Sequence, residues 1–168
     1  MIQMPYVRRF LLAVFALLVL QVMLAVPVSA GGQPLRQKLD FPPTGTFGGI
    51  CAFDVDYAIV VNREYITTWF DSAGNPLRTE TTGRLVVTFT NASNPSHHMT
   101  LNISGPGRTT FNPDGSQTIV FYGNGLAFLE HDMVLSSGRL VVVAPDPLSP
   151  GVLVSASGNQ RSLCALLG

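Results

Sequence analysis

The residues best suited to acid–base or metal chemistry are three histidines and the acids beside them. His97 and His98 are adjacent, so on a strand their side chains point to opposite faces and cannot share one metal ion. His131 stands between Glu130 and Asp132, and in an extended chain it points away from the face that the two acids share. Ordinary solvated polarity at a strand end explains this triplet better than an acid–base or metal site. We therefore predict no metal site and no cofactor.

Asp54 and Asp56 form a second carboxylate pair. Paired carboxylates can hydrolyse glycosides when they stand about 5 to 9.5 Å apart across a sugar-binding cleft. Here they alternate with Phe53, Val55 and Tyr57, a pattern typical of the solvent side of a half-buried strand. The sequence also has no Gly-x-Ser-x-Gly motif, the most specific sign of a serine hydrolase. We therefore predict no catalytic residue.

Aromatic residues offer a different function, the binding of a small apolar ligand. A barrel of about eight strands has an interior that holds either packed side chains or one small molecule. The residues predicted to line such a pocket are Tyr57, Tyr65, Trp69, Phe89 and Phe121. Ordinary aromatic packing in the core is the alternative reading of the same residues.

The elements that would position these side chains are short strands. From position 51 onward apolar residues recur with period two, and turn sequences such as Asn112-Pro113-Asp114-Gly115 separate the runs. About nine strands are predicted, with one helical turn around Cys164 and no helix long enough for a crossover between parallel strands. The fold class is therefore all-β. An antiparallel meander that closes like a barrel is favoured, and a two-layer β-sandwich is the alternative.

The N-terminus has the layout of a secretory signal peptide. A basic start at Arg8-Arg9 precedes the apolar run Phe10 to Val28, and small residues lead to cleavage after Ala30. We therefore expect residues 1–30 to be a signal peptide, 31–50 a flexible Gly/Pro-rich segment and 51–168 a single β domain. The run has 19 residues, close to the roughly 20 that span a bilayer, so an uncleaved anchor is the alternative.

Charge and cysteines agree with a location outside the cytoplasm. Residues 31–168 carry eight basic and ten acidic residues, and this net charge of −2 predicts neither nucleic-acid nor anionic-lipid binding. Cys51 and Cys164 are the only cysteines, and in an oxidising compartment they predict one disulfide. Two N-glycosylation sequons begin at Asn91 and Asn102.

Three strings resemble those of small secreted bacterial proteins, mostly actinobacterial. They are TGRLVVTFTN at 82–91, SGPG at 104–107 and NPDG at 112–115, and a cysteine near the C-terminus accompanies them. The resemblance runs from Cys51 to Leu167 and concerns a family without an assigned activity. It implies export, an all-β fold and the disulfide, and it carries over no functional residue.

The sequence thus predicts a secreted, non-enzymatic domain with a binding or structural role. One alternative is a small β-barrel enzyme of the cyclase or isomerase type, which would need polar groups such as His97 or Glu130 inside a cavity. The other is a cell-envelope interaction module or homo-oligomer that uses apolar residues on the outer strand face. Those residues are Val60, Ile66, Val86, Val120, Tyr122, Val141 and Val143.

Overall fold

The computed structural model describes residues 33–168, which form eleven strands and one short helix. The predicted signal peptide, its cleavage after Ala30 and the alternative anchor lie outside the described residues. Within residues 33–168, no helix is long and apolar enough to span a bilayer. The strands are β1 Leu35–Lys38, β2 Thr44–Phe47, β3 Val55–Asn62, β4 Tyr65–Phe70, β5 Pro76–Thr82, β6 Leu85–Asn91, β7 His98–Asn102, β8 Gly107–Phe111, β9 Gln117–Leu129, β10 Asp132–Ala144 and β11 Val152–Ser162, followed by the helix α1 Leu163–Leu167.

The strands form two antiparallel sheets, which confirms the all-β prediction. One sheet has seven strands in the order β1-β4-β5-β8-β9-β10-β11, and the other has four in the order β2-β3-β6-β7. Over residues 33–168 the sheets do not close into a barrel, so the predicted barrel is wrong and the sandwich-like alternative fits. The physical reason is that β6 and β7, which lie between β5 and β8 in sequence, pair within the smaller sheet. The strands therefore form two separate sheets and not one continuous meander.

The main core lies between the two sheets and confirms the predicted period of two. Val55, Val87 and Phe89 of the smaller sheet are buried, in one cluster with Phe128 and Met133 of the larger sheet. Two buried leucines of α1 complete this cluster. Burial of a large apolar side chain contributes about 1.5–3 kcal/mol, so this cluster is the main attraction between the sheets.

Three strands have no counterpart in the sequence prediction. β1 and β2 fall within the segment 31–50, for which we expected no regular structure, and β5 follows a predicted turn. All four residues of β1 are exposed, and β5 fully buries only Thr79. These strands are ordered by their ladders with β4, β3 and β8 rather than by an apolar face, so their sequences show no period-two signal.

The long hairpin of β9 and β10 bends back on itself. The predicted strands at 117–122 and 126–130 are a single strand β9, and Gly123, Gly138 and Gly158 stand side by side across β9, β10 and β11. Gly123 (φ 76°) and Gly158 (φ 86°) adopt left-handed conformations that favour glycine. Beyond this bend the backbone N–H of Gly151 donates to the carbonyl of Phe128 at 2.9 Å. A second, smaller core forms inside the bend, around Ile119, Ala127, Leu140, Val142 and Ala144.

Candidate functional site

The predicted disulfide is present and fastens the C-terminal helix. Cys51 and Cys164 are bonded, with their Cα atoms 5.4 Å apart. The carbonyl of Leu167 accepts a hydrogen bond from Asn91 Nδ2 at 3.1 Å and lies 3.0 Å from His97 Nδ1. The disulfide and these two contacts hold α1 against the main core, and His97, which the enzyme alternative would need inside a cavity, makes a structural contact with α1.

Glu130, His131 and Asp132, at the tip of the β9–β10 hairpin, do not form an acid–base or metal site. Glu130 and His131 are more than four-fifths exposed, and Glu130 Oε1 lies 3.6 Å from His131 Nε2. Asp132 Oδ1 instead accepts hydrogen bonds from the Met133 backbone N–H at 2.8 Å and the Ser162 hydroxyl at 2.7 Å. Within residues 33–168, no cluster of three or more His, Cys, Asp or Glu side chains is arranged to hold a metal ion.

Asp56, one of the predicted solvent-side carboxylates, accepts a hydrogen bond at 2.6 Å from the hydroxyl of Thr46 on β2. Asp54 and Asp56 are both exposed, in agreement with their assignment to the solvent side of the strand.

The five aromatic residues predicted to line a pocket lie in three different places. Tyr57 and Phe89 belong to the main core, and Phe121 packs against the smaller core. Tyr65 and Trp69 lie on the larger sheet, each beneath an arginine guanidinium. The structure therefore does not bring the five rings together around one space.

A pocket of about 260 Å³ lies where β7 meets β9, β10 and β11. Its apolar side is formed by Leu101, Ile103 and Leu135, which also pack against the main core. Five exposed polar side chains complete the lining on the solvent side. They are Asn102, Asn124, Ser137, Asn159 and Arg161.

Strand register explains why these polar side chains converge. Ser137 is directly opposite Asn124 on one side and Asn159 on the other, so an amide, a hydroxyl and an amide form one row across three strands. Arg161 follows Asn159 by two residues and therefore shares its face. Because this row depends on the pairing of distant strands, no local sequence pattern could have revealed it.

The lining of the pocket offers hydrogen-bonding groups but no carboxylate, imidazole or thiol for acid–base chemistry. Arg161 is the only ionisable side chain among its ten lining residues. Amides and hydroxyls both donate and accept hydrogen bonds, and a guanidinium donates in a planar fork that suits a carboxylate. The Ser137 hydroxyl has no base in the lining to activate it.

Ser136 also lines the pocket, and it is 4% exposed. Its hydroxyl has no hydrogen-bond partner among the residues that the structure describes. A buried hydroxyl without a partner costs about 1–3 kcal/mol, and strand alternation places this side chain on the face of β10 opposite that of Ser137.

Glu64 is an unusual residue that the sequence analysis does not single out. It is 5% exposed, and burial raises the pKa of its carboxyl from 4.5 to about 7. Its backbone is fixed on both sides, because its carbonyl accepts from the Leu39 N–H at 2.9 Å and its N–H donates to Asn62 Oδ1 at 3.1 Å. A lone glutamate before a strand gives no sequence signal of burial.

The two sequons differ in accessibility. Asn91 is 5% exposed and its amide nitrogen is engaged with Leu167, whereas Asn102 is exposed on the rim of the pocket. Of the two sequon asparagines, only Asn102 has a side chain that is open to N-glycosylation in the folded chain.

Comparison with known proteins found no matching family model, no similar curated protein and no similar solved structure.

Proposed function

We propose that this protein is a non-enzymatic, extracytoplasmic binding domain that holds a small polar ligand in the pocket between β7 and β9–β11. The observation that carries this proposal is the lining itself, in which three amides, a hydroxyl and a guanidinium surround an apolar patch. Such a combination suits a ligand with a carboxylate and several hydroxyl or amide groups, such as a sugar acid.

The extracytoplasmic location has separate support. The Cys51–Cys164 disulfide is compatible with an oxidising compartment, because such bonds are rare in the cytosol. The basic, apolar and small-residue order of the first thirty residues agrees with export. Mass spectrometry of the protein recovered from cells tests this part, since a first residue at Gly31 means cleavage and release, and an intact N-terminus means an anchored form.

The binding proposal is tested by NMR titration of the asparagine side-chain amides. The probes are glucuronate, glucose and acetate, so that the combined ligand is compared with its hydroxyl part and its carboxylate part. We expect glucuronate to shift the signals of Asn102, Asn124 and Asn159 at lower concentration than the other two. Arg161→Gln should remove the preference for glucuronate over glucose, and Arg84→Gln is the control of equal charge. If none of the probes shifts these amides, the proposal for a sugar acid is refuted.

A second candidate function is attachment to another chain through the edge strand β11. Val152, Leu153 and Val154 are 71%, 43% and 61% exposed, and they lie at the edge of the larger sheet. Apolar edge strands pair readily with other strands unless charges or proline protect them. A monomeric mass in light scattering at high protein concentration would argue against self-association through this edge.

A further inference from the structure

Cationic side chains are concentrated on one face of the larger sheet. Strand register and alternation place Arg36, Lys38, Arg78 and Arg108 on the face of β1, β4, β5 and β8 that lies opposite the buried side chain of Thr79. Tyr65, Trp69 and Glu80 share this surface, which we call the arginine face. The net charge of the chain does not reveal it, because the cations are concentrated only after the strands pair.

Two of these arginines are held in place by aromatic rings. The guanidinium carbon of Arg36 lies 4.7 Å from the centroid of the Tyr65 ring, and that of Arg78 lies 4.4 Å from the Trp69 ring. Stacking uses the flat face of a guanidinium and leaves its N–H edges free to bind oxyanions. Within residues 33–168, neither arginine forms an ion pair with a carboxylate.

The other two cations of the arginine face are already paired. Arg108 binds Glu80 with a closest distance of 2.8 Å, and Lys38 binds Asp40 at 2.9 Å. With these two carboxylates the face has a formal charge of +2. The remaining four cations and eight acids of residues 31–168 give −4. The charge is thus segregated, and Arg36 and Arg78 are the groups available to a ligand.

The spacing of these two groups indicates the kind of ligand. Tyr65 and Trp69 are four residues apart on β4, so their Cα atoms are about 13 Å apart, and the guanidinium groups that contact the two rings come from β1 and β5 on either side of this strand. Each strand of a nucleic acid has a charge about every 3.4 Å, so most of its phosphates opposite the arginine face would meet no cation. The rest of the protein, which has a net negative charge, would repel these phosphates. A polymer with widely spaced negative charges matches the arginine face better.

From these observations we propose that the arginine face binds a linear acidic polysaccharide, with the guanidinium edges of Arg36 and Arg78 donating to carboxylates on separate sugars. This site is independent of the pocket and of the ligand proposed for it.

The test measures binding of purified protein, from cells that express the full chain, to hyaluronate, which has one carboxylate for every two sugars, and to dextran of similar length. We expect saturable binding to hyaluronate that weakens with salt, and no binding to dextran. Arg36→Gln with Arg78→Gln should weaken binding about tenfold, because two exposed ion pairs are lost, each worth up to about 1 kcal/mol. Arg139→Gln with Arg161→Gln removes the same charge from β10 and β11 and should change the affinity less than twofold.

A second double variant separates guanidinium recognition from simple charge attraction. Arg36→Lys with Arg78→Lys keeps the charge but loses the stacked fork, and we expect several-fold weaker binding. Wild-type affinity in this variant would overturn the proposal, as would equal losses in the two glutamine pairs. Loss of binding in Arg161→Gln would place the polymer in the pocket instead of on the arginine face. Tighter binding to a single-stranded oligonucleotide or to anionic vesicles than to hyaluronate would overturn the polysaccharide assignment. Circular dichroism of each variant establishes that it is folded.

Discussion

Burial of Glu64 predicts that the stability of this protein falls as the pH rises from about 4.5 to about 7. Burial raises the pKa of the Glu64 carboxyl from 4.5 to about 7, so the folded state binds this proton more tightly than the unfolded state does. Between these two pH values the unfolded chain has released the proton and the folded chain retains it, and the free energy of unfolding therefore decreases with rising pH. The whole shift corresponds to about 3 kcal/mol, because each pKa unit is worth about 1.4 kcal/mol.

The substitution Glu64→Gln isolates this effect, since glutamine has nearly the same shape and does not titrate. We expect the variant and the wild type to have similar stability at pH 4, and the variant to be more stable by up to about 3 kcal/mol at pH 8. The assay is urea unfolding at several pH values between 4 and 8, followed by circular dichroism. The quantity compared is the difference in the free energy of unfolding between the two proteins, because contributions from all other groups are the same in both and cancel.

Glu130→Gln is the matched control, because Glu130 has an 87% exposed side chain at a hairpin tip. Its substitution should leave the pH dependence of stability unchanged. The reasoning about Glu64 is refuted if the stability difference between wild type and Glu64→Gln stays constant from pH 4.5 to pH 8. A constant difference would mean that the buried carboxyl keeps its ordinary pKa.

Three further predictions concern stability. Replacing Cys51 and Cys164 by serine should lower the free energy of unfolding by about 3–5 kcal/mol in urea titrations, since the bond closes a loop with a sequence separation of 113 residues; no loss under non-reducing conditions would contradict this. His131 has a φ of 64°, in the left-handed region that favours glycine, so His131→Gly should raise the melting temperature and His131→Val should lower it. The reverse order of melting temperatures would show that the turn is not strained. Ser136→Ala should stabilise the protein by about 1 kcal/mol in the absence of ligand, because it removes a buried hydroxyl without a partner; a loss of stability would show that this hydroxyl is hydrogen-bonded in solution.

The sequence predicted the features of the fold that depend on local pattern. The alternation of Val55 and Phe89 with polar neighbours identified strands and their buried faces, because the period of a strand is set by its backbone. The turn at Asn112–Gly115 was also predictable, and the Gly115 N–H donates to the Asn112 carbonyl at 3.0 Å. The disulfide followed from the count of cysteines, with one pairing available.

Sheet topology was not predictable by the same means. Each hairpin is compatible with both a barrel and a sandwich, and the choice depends on whether β6 and β7 continue one ladder or begin another. The bend of the long hairpin likewise depends on Gly123, Gly138 and Gly158 coming into register across three strands. A single glycine in a strand weakens the strand prediction, and this is why β9 was divided into two at Gly123 and Gly125.

The aromatic residues show why binding sites were harder to predict than the core. Phe89 and Trp69 both occur in predicted strands, yet Phe89 is 1% exposed in the main core and Trp69 lies beneath Arg78 on the outer face. The difference depends on the cross-strand partner, because Arg78 is paired with Trp69 only through the register of β4 and β5. The same holds for the pocket, where Ser137 and Asn159 meet through the register of β10 and β11. In both places the recognition groups come from separate strands, and ligand chemistry therefore emerges only once the ladders are formed.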